Sequence, residues 1–261
     1  MRPKPDPRSV LLFYLLKKIN KCHREYQLLQ DGDRIALALS GGKDSCTLLD
    51  ALVQRKGIER YTVIPIHITP ASDMDCGAAA NVPALRAWLD GLGVEYHIVA
   101  AEEPKGEPER PGQHPCFYCA WRRRKALFNM CRDLGCNKLA LAHNADDVAQ
   151  TTLMNLFYQS KLTTMYPRVP LFGGNLIVIR PLAYVPEKEI VRYAQACDFP
   201  PFPPACESAQ TSKRALMRDV LRLVQDSYPK ARTNLWRAVQ KFGDGEESSE
   251  CISANEHLTF E

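Results

Sequence analysis

The sequence predicts an α/β fold, a doubly wound parallel five-stranded sheet with a small C-terminal helical extension. Three observations carry that prediction. Apolar runs of strand length alternate with amphipathic stretches of helix length along most of the chain. One run, Ile35-Ala36-Leu37-Ala38-Leu39, enters the glycine turn Ser40-Gly41-Gly42 and then a helix-forming stretch. Repeated strand–helix alternation also needs crossover connections, which lay the strands parallel and cover both faces of the sheet.

The elements follow in order. Residues 9–30 read as a helix, with Val10, Tyr14, Leu15 and Ile19 on one stripe. Strands read at 34–40, 62–68, 94–100, 138–143 and 176–180. Helices read at 44–56, 79–92, 117–134, 145–160, 187–197, 209–227 and 229–242. The segment 101–115 is rich in Glu, Pro and Gly and reads as a loop. Phe199-Pro200-Pro201-Phe202-Pro203-Pro204 is a second breaker. The expected organisation is a helical segment at 1–30 and a nucleotide domain at 31–198. A helical extension at 199–242 and an acidic, disordered tail at 243–261 follow.

The turn after the first strand is the most informative segment. Ser40-Gly41-Gly42-Lys43-Asp44-Ser45 joins a strand to a helix, so unpaired N–H groups and the helix dipole face one point. Paired glycines let backbone approach a phosphate. Ser40 and Ser45 add hydroxyls and Lys43 a positive charge. The spacing is not that of a Walker A loop, which needs glycine where Leu37 stands and Ser or Thr where Asp44 stands. Kinase and GTPase readings lose support accordingly.

A second constellation is Cys116-Phe117-Tyr118-Cys119 at a helix start. Both thiolates can face one metal or cluster there. Cys206 stands in the proline-rich loop before another helix. Three cysteine ligands suit an iron–sulfur cluster with one open iron. Zinc with His114 or Cys197 as fourth ligand is the rival. Cys22, Cys46, Cys131, Cys136 and Cys197 read as packing residues.

A third constellation, His143-Asn144-Ala145-Asp146-Asp147, follows the strand Leu139-Ala140-Leu141-Ala142. In an open α/β sheet this puts the acids on the same rim as the glycine turn. They could cap a helix, or one could hold Mg²⁺ against phosphates. Basic residues flank all three segments. Arg122, Arg123, Arg124 and Lys125 follow the cysteine pair. Arg214, Arg218 and Arg222 recur every four residues, and Lys161 and Arg168 follow the acidic helix. They are candidates for phosphate-backbone contacts.

Charge and composition narrow the classes. The net charge is +4, but residues 243–261 hold six acids and no Lys or Arg, so the body is markedly basic. A basic body fits a nucleic-acid partner. No apolar run spans a bilayer and no signal peptide is read, so ten cysteines point to a reducing compartment, the cytoplasm.

Together these motifs resemble the PP-loop tRNA thiolases, and among them the tRNA 2-thiocytidine synthetase family. The likeness rests on Ser40–Ser45, the CxxC followed by arginines, His143 with Asp146 and Asp147, and the lone Cys206 before Glu207-Ser208. Asn155-Leu156-Phe157-Tyr158, Lys161-Leu162 and the stretch Val178 to Tyr184 extend it, over residues 10–242. Family members often have two cysteines near the third ligand, whereas here only Cys206 remains. The chain lacks the terminal zinc-ribbon cysteine pairs of the related 2-thiouridine thiolases, which favours the cytidine branch.

The resemblance implies a PP-loop ATP pyrophosphatase fold, HUP-like, and a mechanism. ATP is expected on Ser40, Gly41, Gly42, Lys43, Asp44 and Ser45, with His143, Asp146 and Asp147 beside it and Mg²⁺ on Asp44 or Asp147. The C2 oxygen of an anticodon-loop tRNA cytidine is expected to attack the α-phosphate. Sulfide carried by a [4Fe-4S] cluster on Cys116, Cys119 and Cys206 then displaces AMP. Arg123 is expected beside the cluster. Arg122, Arg124, Lys161, Arg168, Arg214, Arg218 and Arg222 are expected to meet tRNA. A cysteine-desulfurase-type protein is the expected sulfur donor, and a homodimer is compatible with the sequence. The alternatives are a PP-loop enzyme acting on uridine or a small molecule, and a nucleotide-binding adaptor with structural zinc.

Overall fold

Among the described residues, six strands form one sheet in the order β3-β2-β1-β4-β6-β5. They are β1 (Arg34–Ala38), β2 (Thr62–Thr69), β3 (His97–Ala100), β4 (Lys138–Ala140), β5 (Arg168–Leu171) and β6 (Leu176–Ile179). The helices are α1 (Pro7–Tyr26), α2 (Lys43–Gln54), α3 (Val82–Leu92), α4 (Pro115–Asp133), α5 (Ala145–Gln159), α6 (Glu187–Gln195), α7 (Lys213–Ser227) and α8 (Ala231–Phe242). This computed structural model describes residues 6–55, 59–70, 81–101, 115–201 and 213–243, and only the backbone of 115–119.

Five strands are parallel, and β5 runs antiparallel to β6 at the edge. The sequence reading has five strands and misses β5. The reason is physical: β5 is four residues long, contains Pro170 and is half exposed, so it lacks an apolar run. Arg168, expected as an RNA contact in a loop, is the exposed first residue of this edge strand.

The strands are apolar on both faces because helices cover both. Ile35, Leu37 and Leu39 pack with α1, α2 and α6, while Ala36, Ile64, Ile66 and Ile68 pack toward α4 through Phe128 and Cys131. Helix α1 begins earlier than the apolar stripe suggests. Asp6 caps it by accepting from the backbone of Arg8 and Ser9, with Pro7 in the first turn. It ends at Tyr26 because Gln27 turns left-handed at φ 53°. Arg8 then reaches Asp50 of α2 at 3.0 and 2.9 Å, and Tyr193 of α6 donates to the same carboxylate at 2.5 Å. Three helices are thereby pinned to one buried acid.

The opposite end of the sheet is closed by a second buried charge cluster. Lys138 Nζ meets Asp33 Oδ2 at 2.6 Å and the Leu28 carbonyl at 2.9 Å, with both side chains almost wholly buried. Asn137 Nδ2 donates to the other Asp33 oxygen at 2.9 Å. Removing one partner strands a buried charge, at a cost of about 3–5 kcal/mol. Lys138→Ala is therefore expected to lower the unfolding free energy by that amount, read as a lower urea midpoint at an unchanged slope. A loss below about 1 kcal/mol would show the cluster to be dispensable.

Candidate active site

The strand order reverses between β1 and β4, since β1 continues to β2 on one side and β4 to β6 on the other. Ligands of open α/β sheets bind beyond the carboxyl ends of strands at such a switch point. Both sequence-predicted segments emerge there. Residues 39–42 leave β1 and open α2; residues 141–144 leave β4 and open α5. The strands are shorter than read from sequence because these residues leave the ladder to build the site.

The glycine loop is held by its own hydroxyls. Gly41 adopts φ 79°, a left-handed conformation that favours glycine. Ser40 Oγ accepts from Gly42 N at 3.3 Å and lies 3.0 Å from Ser45 Oγ, which donates to the Gly42 carbonyl at 3.0 Å. Gly42 caps α2 with no side chain to fill that end. The first turn of α2 thus presents backbone donors to the rim.

The acid pair does two things at once. Asn144 and Asp147 form a reciprocal capping box: the Asn144 side chain accepts from the backbone of Asp146 and Asp147, and Asp147 Oδ2 accepts from Asn144 N at 3.0 Å. Asn144 Nδ2 also donates to Asp44 Oδ1 at 3.0 Å. One amide therefore joins the glycine loop to the acidic segment. Asp146 accepts from the Glu187 backbone N–H at 2.7 Å and from Arg232 at 2.6 Å. The cap reading of these acids is therefore met by the geometry.

Charges are dense here. Lys43 Nζ sits 2.9 Å from Asp44 and 2.9 Å from Glu187. Burial works to lower the Lys43 pKa, but these two carboxylates outweigh it and hold it above the ordinary lysine value. Asp147 is pushed above the usual carboxylate value, first by burial and then by Asp44 and Glu187. The Asn144 N–H and Arg214, at 3.4 Å, oppose the rise. Burial and neighbouring carboxylates thus both disfavour a negative charge at Asp147.

His143 lies against this group. Arg180 Nε donates to its Nδ1 at 3.3 Å, which fixes that nitrogen as an acceptor and the ring as neutral. Burial, followed by Arg180, Arg214 and Arg124, lowers its pKa to about 3. A histidine depressed from 6.5 in the fold binds its proton more readily when unfolded. Its stabilising contribution is present above pH 6.5 and lost as pH falls toward 3. His143→Gln is expected to flatten the acid limb of a stability–pH profile over that window. An unchanged slope would place the titration elsewhere.

The structure brings Ser40–Ser45, His143, Asp146, Asp147 and Arg214 together. Arg214, expected on RNA, faces Asp147 and Thr151 instead of sharing the exposure of Arg218 and Arg222. Arg123 and Arg124 of α4 act electrostatically on His67 and His143, so the basic run of α4 approaches this rim. Arg122 is half-buried beside them, and Lys161 is exposed after α5. The side chains of Cys116 and Cys119, and all of Cys206 and His114, lie outside the described residues. Their backbone puts Cys116 and Cys119 in the first turns of α4, three apart and on one face. Among the described residues no three metal-binding side chains gather. Cys22 and Cys46 are buried, with pKa pushed up to about 12, and behave as packing residues, as expected. Cys131, Cys136 and Cys197 are also held above the ordinary thiol value by burial.

Sequence reasoning missed Glu187 and Arg232, whose segments carry no local sign of a site. Asn144 had a sign, the Asn-x-x-Asp spacing of a capping box.

The PP-loop domain family matches residues 14–223. A tRNA-cytidine(32) 2-sulfurtransferase of Alkalilimnicola ehrlichii is 34% identical over 254 residues, 92% of this chain and 79% of that protein. One from Photorhabdus laumondii is 37% identical over 232 residues, 87% of this chain and 74% of the relative. Among solved structures, the U34-tRNA thiolase NcsA from Methanococcus maripaludis superposes with a TM-score of 0.73 at 24% identity, over 92% of this chain and 81% of that one, a likeness of fold. With the glycine loop and the acid pair meeting at the switch point of such a fold, the chain belongs to the PP-loop domain family and, within it, to the tRNA-cytidine(32) 2-sulfurtransferases.

Proposed function

We propose that this protein is an ATP-dependent tRNA sulfurtransferase that converts an anticodon-loop cytidine, position 32 by its relatives' names, to 2-thiocytidine. The observation that carries the reading is the Asn144 bridge to Asp44 at 3.0 Å, which joins the glycine loop to the acids and supports reading them as one nucleotide site.

In this mechanism the backbone of Gly41 and Gly42, with Ser45, cradles the pyrophosphate of ATP, and Lys43 neutralises it. Asp44 and Asp147 would hold Mg²⁺, whose charge would favour the ionised form of Asp147 that burial, and then Asp44 and Glu187, now disfavour. The cytidine C2 oxygen forms a bond to the α-phosphorus while the bond to pyrophosphate breaks. A sulfur nucleophile then attacks C2, and AMP departs with the former carbonyl oxygen. Adenylation is needed because an amide-like oxygen is a poor leaving group. Neutral His143 is held by Arg180 beside the acids. An iron–sulfur cluster on Cys116, Cys119 and Cys206 would supply the sulfur when bound. The helix start of α4 fits two of these donors, and a cysteine-desulfurase-type donor would restore the sulfur. Arg123, one turn beyond Cys119, would face the transferring group. Arg122, Arg124, Lys161, Arg168, Arg218 and Arg222 would steady the RNA backbone.

The test is anaerobic. Protein purified without oxygen is assayed for iron and acid-labile sulfide, then given tRNA, Mg·ATP and a sulfide source. The expected result is 2-thiocytidine in the digested tRNA, with AMP formed in equal amount. Pyrophosphate release with no thiolated nucleoside would overturn the sulfur-transfer reading.

A further inference from the structure

A second cavity, of about 540 Å³, opens between α1, the start of α5, residues 183–186 and α8. Its volume suits a ligand of nucleotide size. It does not contain the glycine loop. It touches the ATP site only through a shared wall: Ala145 and Pro186 line it, and the lining residue Arg232 holds Asp146 at 2.6 Å.

The lining combines two chemistries. Lys18, Lys21, Arg232 and Arg237 bring four cations, against Glu25 as the single acid. Lys18 is held by Glu189 at 2.5 Å and Arg232 by Asp146, whereas Lys21 and Arg237 are exposed. Lys21 lies 3.8 Å from Glu25, a loose surface pair of little energetic weight. The second chemistry is aromatic. Trp236 and Tyr184 line the cavity, half-buried, and their rings meet edge to face with centroids 5.8 Å apart. Trp236 Nε1 donates to the Tyr184 hydroxyl at 3.3 Å, and Tyr184 in turn donates to Glu25. Tyr26 and Tyr166 pack edge-on against the same indole, at 6.2 and 6.4 Å. The aromatic wall is therefore rigid before any ligand arrives.

We infer that this cavity is an RNA subsite that takes one nucleotide next to the reacting one, its base on the Trp236–Tyr184 wall and its phosphate between Lys21, Arg232 and Arg237. Base–aromatic stacking beside a cationic groove is the general device for holding single-stranded nucleic acid without reading sequence. The inference rests on the tRNA reading of the preceding subsection and adds the place where the strand is gripped. Because Arg232 serves both the cavity and Asp146, a phosphate seated here lies one side chain from the acids of the ATP site.

The test uses the full chain and an unmodified tRNA transcript, with affinity measured across a salt series. Lys21→Ala and Arg237→Ala, both at exposed positions, are each expected to lower the slope of log affinity against log salt by about one. Trp236→Leu is expected to weaken binding about tenfold, and Trp236→Phe to restore most of it. Thermal midpoints within a few degrees of wild type show that each variant is folded. Ultraviolet cross-linking of the complex is expected to place a nucleotide on the α8 peptide. If the wild type binds tRNA and these variants keep its affinity and salt slope, the cavity inference is overturned while the sulfurtransferase reading stands. If the wild type binds no tRNA but binds anionic vesicles through Lys21 and Arg237, both are overturned.

Discussion

Lys43→Ala and Asp147→Asn should each abolish ATP turnover, by at least 10²–10³-fold, while the protein stays folded. The expectation comes from their place in the site. Lys43 is the cation of the glycine loop, poised between Asp44 and Glu187 at 2.9 Å from each. On the proposed mechanism, charge would develop beside that ammonium as pyrophosphate departs, and a preorganised cation there is worth far more than one in water. Its contribution to folding is small by the same geometry. All three groups are partly open to solvent, and ion pairs of that kind contribute about 0–1 kcal/mol. Asp147→Asn keeps an oxygen that can accept from the Asn144 N–H, so the cap of α5 survives while the charge for a metal is lost. Pyrophosphate release and thermal midpoint, measured together, separate catalysis from stability. Release at wild-type rates in both variants would remove the nucleotide assignment.

Cys206→Ser should abolish thiolation and iron binding while ATP still binds. Every described contact among the glycine loop and its acids comes from the loops after β1 and β4 and from α2, α5, α6, α7 and α8. Loss of sulfur transfer with retained ATP binding would separate the two halves of the chemistry. A structural zinc would behave differently. Losing one of four zinc ligands should destabilise the C-terminal helices, because such a metal contributes folding free energy directly. Metal content, thermal midpoint and 2-thiocytidine yield in this one variant distinguish the cases. A stable Cys206→Ser protein that still thiolates tRNA would falsify the cluster assignment.

The helices α2 through α8 and the five parallel strands were legible within a few residues, because each carries its period or its apolar run locally. The edge strand β5 was not. It is short and interrupted by proline, and it exists because β6 offers it a partner. The glycine loop and the acid pair were legible for the same local reason: each is a few adjacent residues whose chemistry depends on spacing. That the glycine loop and the acid pair share the rim of one sheet also follows from sequence, through the rule that ligands gather at the carboxyl ends of parallel strands.

What only the tertiary structure decided is which side chains complete the site. Glu187, Arg214 and Arg232 lie 144, 67 and 86 residues from Lys43, Asp147 and Asp146, the groups they hold. No helical or strand period relates such pairs. Arg214 belongs to a helical row of arginines that looks uniformly solvated in sequence, yet the packing of α7 on α5 brings this one to Asp147, while Arg218 and Arg222 are exposed. The cavity under α8 likewise needs α1 and α8, from opposite ends of the described chain, to lie together. Sequence by itself determined the fold class and the local motifs, because hydrophobic period and turn chemistry act over a few residues. The pairing of charges across the site was left to packing, because electrostatic partners are chosen by distance in space.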